Sequence, residues 1–201
     1  MNYSLDDYLL MSALISFLGF CLENIWMCFK YGYIDNRNMG LPFLLGYSYA
    51  VLGIYFVLGT PDQPTAFLSF LTPWNEYAGY YLIVFLIVSF GEIILGKTVE
   101  RICGIYYWDY TNIPLHITRY TSVFTSLGFS LVITQFMKHF FIPVMDIISE
   151  LPPYMDYIGR GTYALMVIDF FRGFGIMYKK RSLNITWKKQ IFGRRRSEQR
   201  A

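Results

Sequence analysis

Charged residues are scarce in this sequence. Asp, Glu, Lys and Arg make up 15% of its 201 positions, whereas hydrophobic residues make up 55%. Soluble domains carry roughly a quarter charged residues, so this chain has too little polar side-chain surface to cover a fold in water. The composition therefore excludes an ordinary soluble domain and directs attention to long apolar segments.

Cysteine and histidine are also few, and their placement excludes several kinds of site. The three cysteines, Cys21, Cys28 and Cys103, fall within or at the ends of apolar segments, and neither histidine accompanies a cysteine pair at metal spacing. An odd count of this kind predicts neither a disulfide framework nor a zinc site. We therefore expect packed, free cysteines, no metal site and no cofactor.

The amino terminus lacks the basic stretch that opens a secretory signal. Its first residues include Asp6 and Asp7, and the apolar run that follows them is long enough to span a bilayer. We expect this run to be retained as a membrane span.

Long apolar runs are what the sequence has in place of charge. A spanning helix needs about 20 predominantly apolar residues, and the windows that meet this requirement are residues 8–29, 43–59, 77–102, 120–142 and 157–178. The second window is the least secure, because it is the shortest and contains Gly46 and Gly53. The run at 65–71 is too short to span, so it either lies at the interface or re-enters the membrane. The predicted fold class is all-α: a polytopic transmembrane bundle of about five spans over residues 1–178, followed by a basic tail at 179–201.

Basic residues near the span ends predict the orientation, because cytoplasmic loops carry an excess of lysine and arginine. One side holds Lys30, Arg37, Lys97, Arg101 and Arg119 together with the nine basic residues of the tail, Lys179, Lys180, Arg181, Lys188, Lys189, Arg194, Arg195, Arg196 and Arg200. The other side holds Lys138 and Arg160. We therefore place the amino terminus outside and the carboxyl terminus in the cytoplasm of a multi-pass protein of the cell membrane.

The basic tail contains an amphipathic stretch at residues 183–192. Each basic residue near an anionic leaflet gains about 1 kcal/mol. We expect the tail to lie along the inner leaflet, with membrane lipid rather than nucleic acid as its partner.

Residues 91–98, Gly-Glu-Ile-Ile-Leu-Gly-Lys-Thr, match the phosphate-loop pattern letter for letter. That motif needs a short buried strand, a turn whose amides face phosphate, and a helix behind it. Here the eight residues continue an apolar run, where such a loop would leave backbone groups unpaired in hydrocarbon. We therefore reject nucleotide binding at this motif.

Ionisable side chains inside the apolar windows are the strongest functional signal, because each costs roughly 2.5 to 3.5 kcal/mol to insert at mid-helix. Four such side chains stand out, namely Glu23, Glu92, Asp169 and Arg172, whereas Glu100 and Arg101 lie near the inner end of the third window and could snorkel. Helical spacing gives three stripes of small or polar residues, namely Ser12, Ser16, Gly19 and Glu23; Ser89, Glu92, Gly96 and Glu100; and Ser122, Ser126 and Ser130. Such residues line helix contacts in lipid, so we expect the stripes to converge.

Where the stripes converge, three acidic side chains and one arginine would leave an excess of negative charge. A proton, a cation or a cationic group of a substrate could complete the site. The structural alternative is that Asp169 and Arg172 pair on their own helix while Glu23 and Glu92 hydrogen-bond to neighbouring helices.

Several segments, in order, carry a resemblance to a known family. They are Gly19 with Glu23, Asn36-Arg37 with Pro42 and Gly46, Glu92 with Glu100, and Trp108-Asp109-Tyr110 with Pro114. Over residues 12–145 this pattern resembles the bacterial CmpB-like family of type IV ABC-transporter permeases. The chain departs from the family pattern at Asn38 and Leu41, where the family has glycine. The resemblance implies a divergent permease.

These observations lead us to expect a permease or permease subunit for a small solute, with Glu23, Glu92, Asp169 and Arg172 at the substrate or ion site. Because the chain has no nucleotide site of its own, a separate ATPase subunit is an expected partner. Five spans are few for a full permease, so we also expect a homo-oligomer or further subunits. Two alternatives stay open: an intramembrane enzyme that acts on lipid through paired carboxylates, and a non-catalytic membrane scaffold.

The predicted cytoplasmic loops contain a second group of candidates: Arg37, Trp108, Asp109, Tyr110 and Arg119. Trp and Tyr favour the membrane interface, so an aromatic anchor is one interpretation. The other is that Asp109, Arg37 and Arg119 form a cytoplasmic gate or docking surface below the buried acids.

Overall fold

The chain is mostly helical in a computed structural model that describes residues 3–71, 76–183 and 189–190. Its helices are α1 (Leu5–Tyr31), α2 (Leu45–Leu58), α3 (Ala66–Leu71), α4 (Glu76–Cys103), α5 (Val123–Phe136), α6 (Ile142–Ser149) and α7 (Tyr154–Lys180). A π-helical turn, Met137–Phe141, joins α5 to α6. Two short antiparallel pairs complete the fold: β1 (Tyr33–Ile34) with β4 (Lys189–Gln190), and β2 (His116–Thr118) with β3 (Thr121–Ser122).

The first helix has well-defined ends. The Ser4 hydroxyl accepts a hydrogen bond from the Asp7 amide, and the Asp7 carboxylate accepts one from the Ser4 amide. This reciprocal capping box satisfies two of the amides that every helix start leaves free. The helix ends at Gly32, whose φ of 73° lies in the left-handed region that glycine adopts without steric penalty.

Three helices of the described chain are long and apolar enough to cross a membrane: Leu5–Phe29, Tyr77–Cys103 and Val123–Ser149. The predicted second window corresponds to α2, which has 14 residues, and the predicted fifth lies within α7, which has 27 residues but a more polar sequence. Length and composition therefore identify three candidate spans in the described chain. The run at 65–71 forms the short helix α3, with Leu68 fully buried.

The predicted window 120–142 has the wrong bounds. Tyr120 precedes a short strand, and the helix starts at Val123 and continues past Pro143 to Ser149. Proline lacks an amide hydrogen and crowds the preceding turn, which favours a break in a helix. Here the π-helical turn just before Pro143 absorbs the disruption, so the helix runs on where the sequence predicts an end.

Large apolar side chains lie on the outside of the bundle, and small polar ones lie inside. Phe29 on α1 is 85% exposed, and α7 exposes Ile168 and Phe171. The serines of the predicted stripes are buried, namely Ser12, Ser16, Ser89, Ser122, Ser126 and Ser130. The outer surface is therefore apolar, unlike that of a soluble domain. This arrangement fits helices that meet lipid outside and pack closely through small residues inside.

The main apolar core lies toward the end of the bundle where α1 begins. It joins α1, α2, α4 and the helix from Val123 to Ser149 through buried residues that include Met11, Leu58, Tyr80, Phe141 and Met145. The Tyr80 hydroxyl donates to the Gly59 carbonyl (3.1 Å), and the Tyr55 and Phe141 rings stack at 4.2 Å. The polar groups of interest lie toward the opposite end.

The segment that matches a phosphate loop lies wholly within α4. Its amides are therefore committed to helical hydrogen bonds, and no phosphate cradle forms. Gly96 has a packing role instead, because a Cβ there would overlap the Tyr120 ring, whereas a Cβ at Gly91 would meet open space.

These two glycines give a matched test of the packing between α4 and Tyr120. We expect Gly96→Ala to lower the free energy of unfolding by about 1–3 kcal/mol, the usual effect of overpacking. Gly91→Ala should raise it slightly, because alanine favours helix over glycine. Unfolding titrations in mixed detergent micelles measure both. Equal effects of the two variants would contradict the packing.

Candidate functional site

The chain between α1 and α2 returns deep into the bundle without being helical. The Leu44 amide donates to the Ser16 carbonyl (3.1 Å), which places the start of α2 beside the middle of α1. At about 1.5 Å per residue, α2 alone is about 21 Å long, less than a bilayer core of about 30 Å. The preceding residues 35–44 therefore lie beside the second half of α1. We call residues 35–41 the inner loop.

Side chains of the inner loop hold its own backbone. The Asn36 amide group donates to the Met39 carbonyl (2.9 Å) and to the Leu41 carbonyl. The Asp35 carboxylate accepts from the Arg37 amide (2.7 Å). Arg37 and Asn38 have φ values of 47° and 68°. Non-glycine residues adopt the left-handed region only where the surroundings hold them there, and the loop provides those contacts.

Asp169 on α7 binds the inner loop from the side. Its carboxylate accepts hydrogen bonds from the Gly40 amide (2.8 and 2.9 Å) and from the Leu41 amide (2.8 Å). Arg172, one turn further along α7, donates to the same carboxylate (2.8 Å). A Cβ at Gly40 would lie 2.7 Å from the Arg172 guanidinium.

Glu23 on α1 binds the inner loop from another side. Its carboxylate pairs with the Arg37 guanidinium at 2.8 Å and accepts a longer bond from the Tyr47 hydroxyl (3.3 Å). The Arg37 guanidinium also donates to the Tyr107 carbonyl (3.1 Å) and lies 3.5 Å from the Asp35 carboxylate. The Glu23 and Arg37 side chains are only 17% and 14% exposed. This pair is therefore largely withdrawn from solvent.

We call these groups together the inner-loop cluster. It contains three carboxylates, on Glu23, Asp35 and Asp169, and two guanidiniums, on Arg37 and Arg172. Sequence reasoning identified Glu23, Asp169 and Arg172, but it treated Arg37 as a loop charge and overlooked Asp35. The predicted acidic excess becomes smaller once Arg37 is included.

Glu92 lies in a different cluster. Its Oε2 atom accepts from the Thr121 hydroxyl (2.7 Å) and from the Ser126 hydroxyl (3.0 Å). In the part of the chain that the structure describes, no hydrogen bond or ion pair joins Glu92 to Glu23. The stripes of α4 and α5 meet each other, whereas the stripe of α1 contacts α2. Ser12 of α1 bonds Ser48 of α2 (2.9 Å), while Glu92 of α4 bonds Ser126 of α5.

The loop between α4 and α5, residues 104–122, contacts both clusters. Its Tyr107 carbonyl accepts a hydrogen bond from the Arg37 guanidinium, and its Thr121 hydroxyl donates one to the Glu92 carboxylate. The Trp108 indole donates to the Tyr120 carbonyl (2.7 Å), and the Tyr120 hydroxyl donates to the Glu100 carboxylate. We call this segment the hairpin loop. The hydrogen bond from Trp108 to Tyr120 stabilises this loop internally.

Asp109 and Arg119 lie on the outer side of the hairpin loop. They form a half-exposed ion pair at 3.3 Å, and the Arg119 guanidinium lies 4.1 Å from the centre of the Tyr106 ring. Partial burial opposes ionisation of Asp109, but bonds from the Thr111 amide and hydroxyl and the nearby Arg119 outweigh it, so the pKa of Asp109 is lowered. The Tyr110 amide donates to the Arg119 carbonyl (2.8 Å).

Arg37 does not share a surface with this pair. Of the three residues predicted to form a gate or docking surface, Asp109 and Arg119 pair with each other, whereas Arg37 pairs with Glu23 inside the bundle. The amphipathic tail predicted at 183–192 falls mostly outside the described residues. Within the described ranges, no group of three or more His, Cys, Asp or Glu side chains is arranged to hold a metal ion.

Replacing Asp169 tests how the inner loop is held. In Asp169→Asn the side-chain NH2 group faces the backbone amides of the inner loop, which are also donors, and Arg172 loses its anion. The free energy of unfolding should therefore fall by about 2–3 kcal/mol, the usual loss for hydrogen bonds to charged groups. Asp156→Asn, in the first turn of the same helix, should cost under about 1 kcal/mol. Unfolding titrations in detergent measure both variants, and an equal loss of unfolding free energy in the two would contradict the role of Asp169.

Comparison with known proteins supports a family assignment. A model of the family described as "Putative ABC-transporter type IV" matches residues 10–174, most of the 201-residue chain. The match extends beyond the segment where the motifs lie and includes Asp169 and Arg172 on α7. No curated protein and no solved structure gives a significant match. The chain therefore belongs to this family of ABC-transporter-type membrane proteins.

Proposed function

We propose that this chain is the membrane-spanning subunit of a transporter for a small solute, driven by an ATPase on a separate chain. The observation that carries the proposal is the inner loop, a non-helical segment beside the second half of α1 that is held by side chains of α1 and α7. Interrupted spans of this kind build the substrate and ion sites of many transporters. Family membership supports the link to an ATPase.

The proposal includes five spans, with α2 and α7 as the second and fifth. For α2, the inner loop supplies the part of the crossing that the short helix does not. For α7, the support is length and surface: it has 27 residues and exposes Leu165, Ile168 and Phe171 along its middle. Basic residues favour an external amino terminus and a cytoplasmic carboxyl terminus in the cell membrane.

The two clusters have different parts in this proposal. Glu23, Asp169 and Arg172 hold the inner loop, and a change in these pairings would move the non-helical segment. Glu92 fastens the hairpin loop at the same end of the bundle. Charged groups that hold irregular backbone at membrane depth favour a transporter over a passive scaffold, since a scaffold has no need of such insertions.

An ATPase partner is the first test. The full chain, purified with an affinity tag from its native membranes in mild detergent, should carry an ABC-type ATPase chain and hydrolyse ATP. Glu23→Gln removes the nearer of the two carboxylates beside Arg37, so it should change the rate by about fivefold or more, the low end of typical coupling between sites.

Glu150→Gln, at the exposed end of α6, is the matched control and should leave the rate unchanged. Purification without an ATPase chain would refute the proposal that a separate ATPase drives transport. Copurification with an unchanged rate in Glu23→Gln would refute the part given to the inner-loop cluster.

Topology is the second test. A fluorescent protein fused after Ala201 should fluoresce, and alkaline phosphatase at the same position should be inactive, because both report a cytoplasmic terminus. The same reporters inserted at the loop before α7 should give the opposite result. Reporters on one side at both positions would show that α7 does not cross the membrane.

A further inference from the structure

Three side-chain oxygens form a closed triangle where α4, β3 and α5 meet. Glu92 Oε2 lies 2.7 Å from Thr121 Oγ1 and 3.0 Å from Ser126 Oγ, and the two hydroxyl oxygens lie 2.9 Å apart. Thr121 and Ser126 are fully buried. All three distances are hydrogen-bond distances.

Counting hydrogens separates the two charge states of Glu92. Each hydroxyl has one hydrogen. If Glu92 is ionised, both hydroxyls donate to Oε2, and the contact between the hydroxyl oxygens has no hydrogen. If Oε2 carries a proton, each oxygen donates once and accepts once, and all three contacts are hydrogen bonds. The triangle is therefore one proton short unless Glu92 is neutral.

Among the residues that the structure describes, no charged group of the surrounding elements supplies a counter-ion to Glu92. On the hairpin loop Arg119 pairs with Asp109, and the His116 ring lies against the Ile113 carbonyl. On α4 itself, Glu100 accepts from Tyr120, while Lys97 and Arg101 are exposed. The sequence of α5 has no charged residue. On α7, the packing against α4 is made by Met177, and Arg181 approaches Gly104.

From this geometry we infer that Glu92, Thr121 and Ser126 form a proton-binding site in which the neutral carboxyl closes a three-membered ring of hydrogen bonds. Release breaks the Oε2–H bond, and water or another base takes the proton while the carboxylate keeps the electron pair. The inference does not rest on the transport proposal, because the ring is defined by these residues alone.

The proton also fastens the hairpin loop, because Thr121 belongs to β3 while Glu92 belongs to α4. The closed ring binds the proton more tightly than the open one, so linkage requires that rising pH favours opening. The hairpin loop should therefore stay docked on α4 below the pH at which Glu92 titrates and loosen above it.

Infrared difference spectroscopy of the full-length protein in lipid nanodiscs tests the proton directly. At neutral pH we expect a carbonyl band of a protonated carboxyl that is lost in Glu92→Gln and retained in Glu100→Gln. The band of the wild type should disappear only at alkaline pH. Thr121→Val and Ser126→Ala each open the ring, so each should shift the frequency of the band.

Three results would overturn the inference. The neutral-pH band is absent, or it survives Glu92→Gln, or it disappears at constant pH when sodium replaces a large organic cation. The last result would mean that a metal cation rather than a proton occupies the site.

Hydrogen exchange tests the fastening of the hairpin loop. Glutamine is neutral and can both donate and accept, so Glu92→Gln keeps a ring-like connection at every pH. At alkaline pH the amides of Tyr110 and Val123, which bond within the hairpin loop, should exchange faster in the wild type than in Glu92→Gln. Glu150→Gln should match the wild type. Equal protection in all three proteins would refute the fastening while leaving the infrared test to judge the proton.

Discussion

The binding of the Asp169 carboxylate to the backbone amides of Gly40 and Leu41 is the interaction on which the inner end of the bundle depends. A non-helical segment exposes amides that water would satisfy in a soluble protein, but in an apolar setting each unsatisfied group costs several kcal/mol. Asp169 meets this requirement for two consecutive amides, and Asn36 meets it for two carbonyls. Irregular backbone can therefore lie beside the second half of α1, whereas the sequence predicts a cytoplasmic loop between the first two spans.

The apolar outer surface and the buried serines follow from the same constraint. Because lipid does not drive apolar groups together, helices associate through small residues that allow close approach and through polar groups that bond across the contact. The Ser12–Ser48 bond between α1 and α2 is one example. Gly19, where a Cβ would meet the Tyr47 ring, is another. The exposed Phe29 and Phe171 rings then face outward without penalty.

The sequence predicts the helices well and the partners of the polar residues poorly. Apolar windows locate α1, α4 and the helix from Val123, because spanning length and composition are local properties. Arg37 shows the limit. Its position after a span marks it as a solvent-facing loop charge, yet it is buried because the chain turns back to place it beside Glu23. Which stripe meets which helix likewise depends on contacts across the whole fold, and local spacing does not contain that information.

The two clusters respond to different conditions, and the hairpin loop joins them. Arginine keeps its charge at any physiological pH, so Glu23 has a permanent cation beside it, whereas the Glu92 ring closes only with a proton. The hairpin loop accepts from Arg37 at the Tyr107 carbonyl and donates to Glu92 from Thr121. Coupling between sites needs a physical element whose state both sites bias. The hairpin loop has that position here, because opening the ring at Thr121 removes one of the contacts that hold the loop on α4, and the same loop contains the carbonyl that accepts from Arg37.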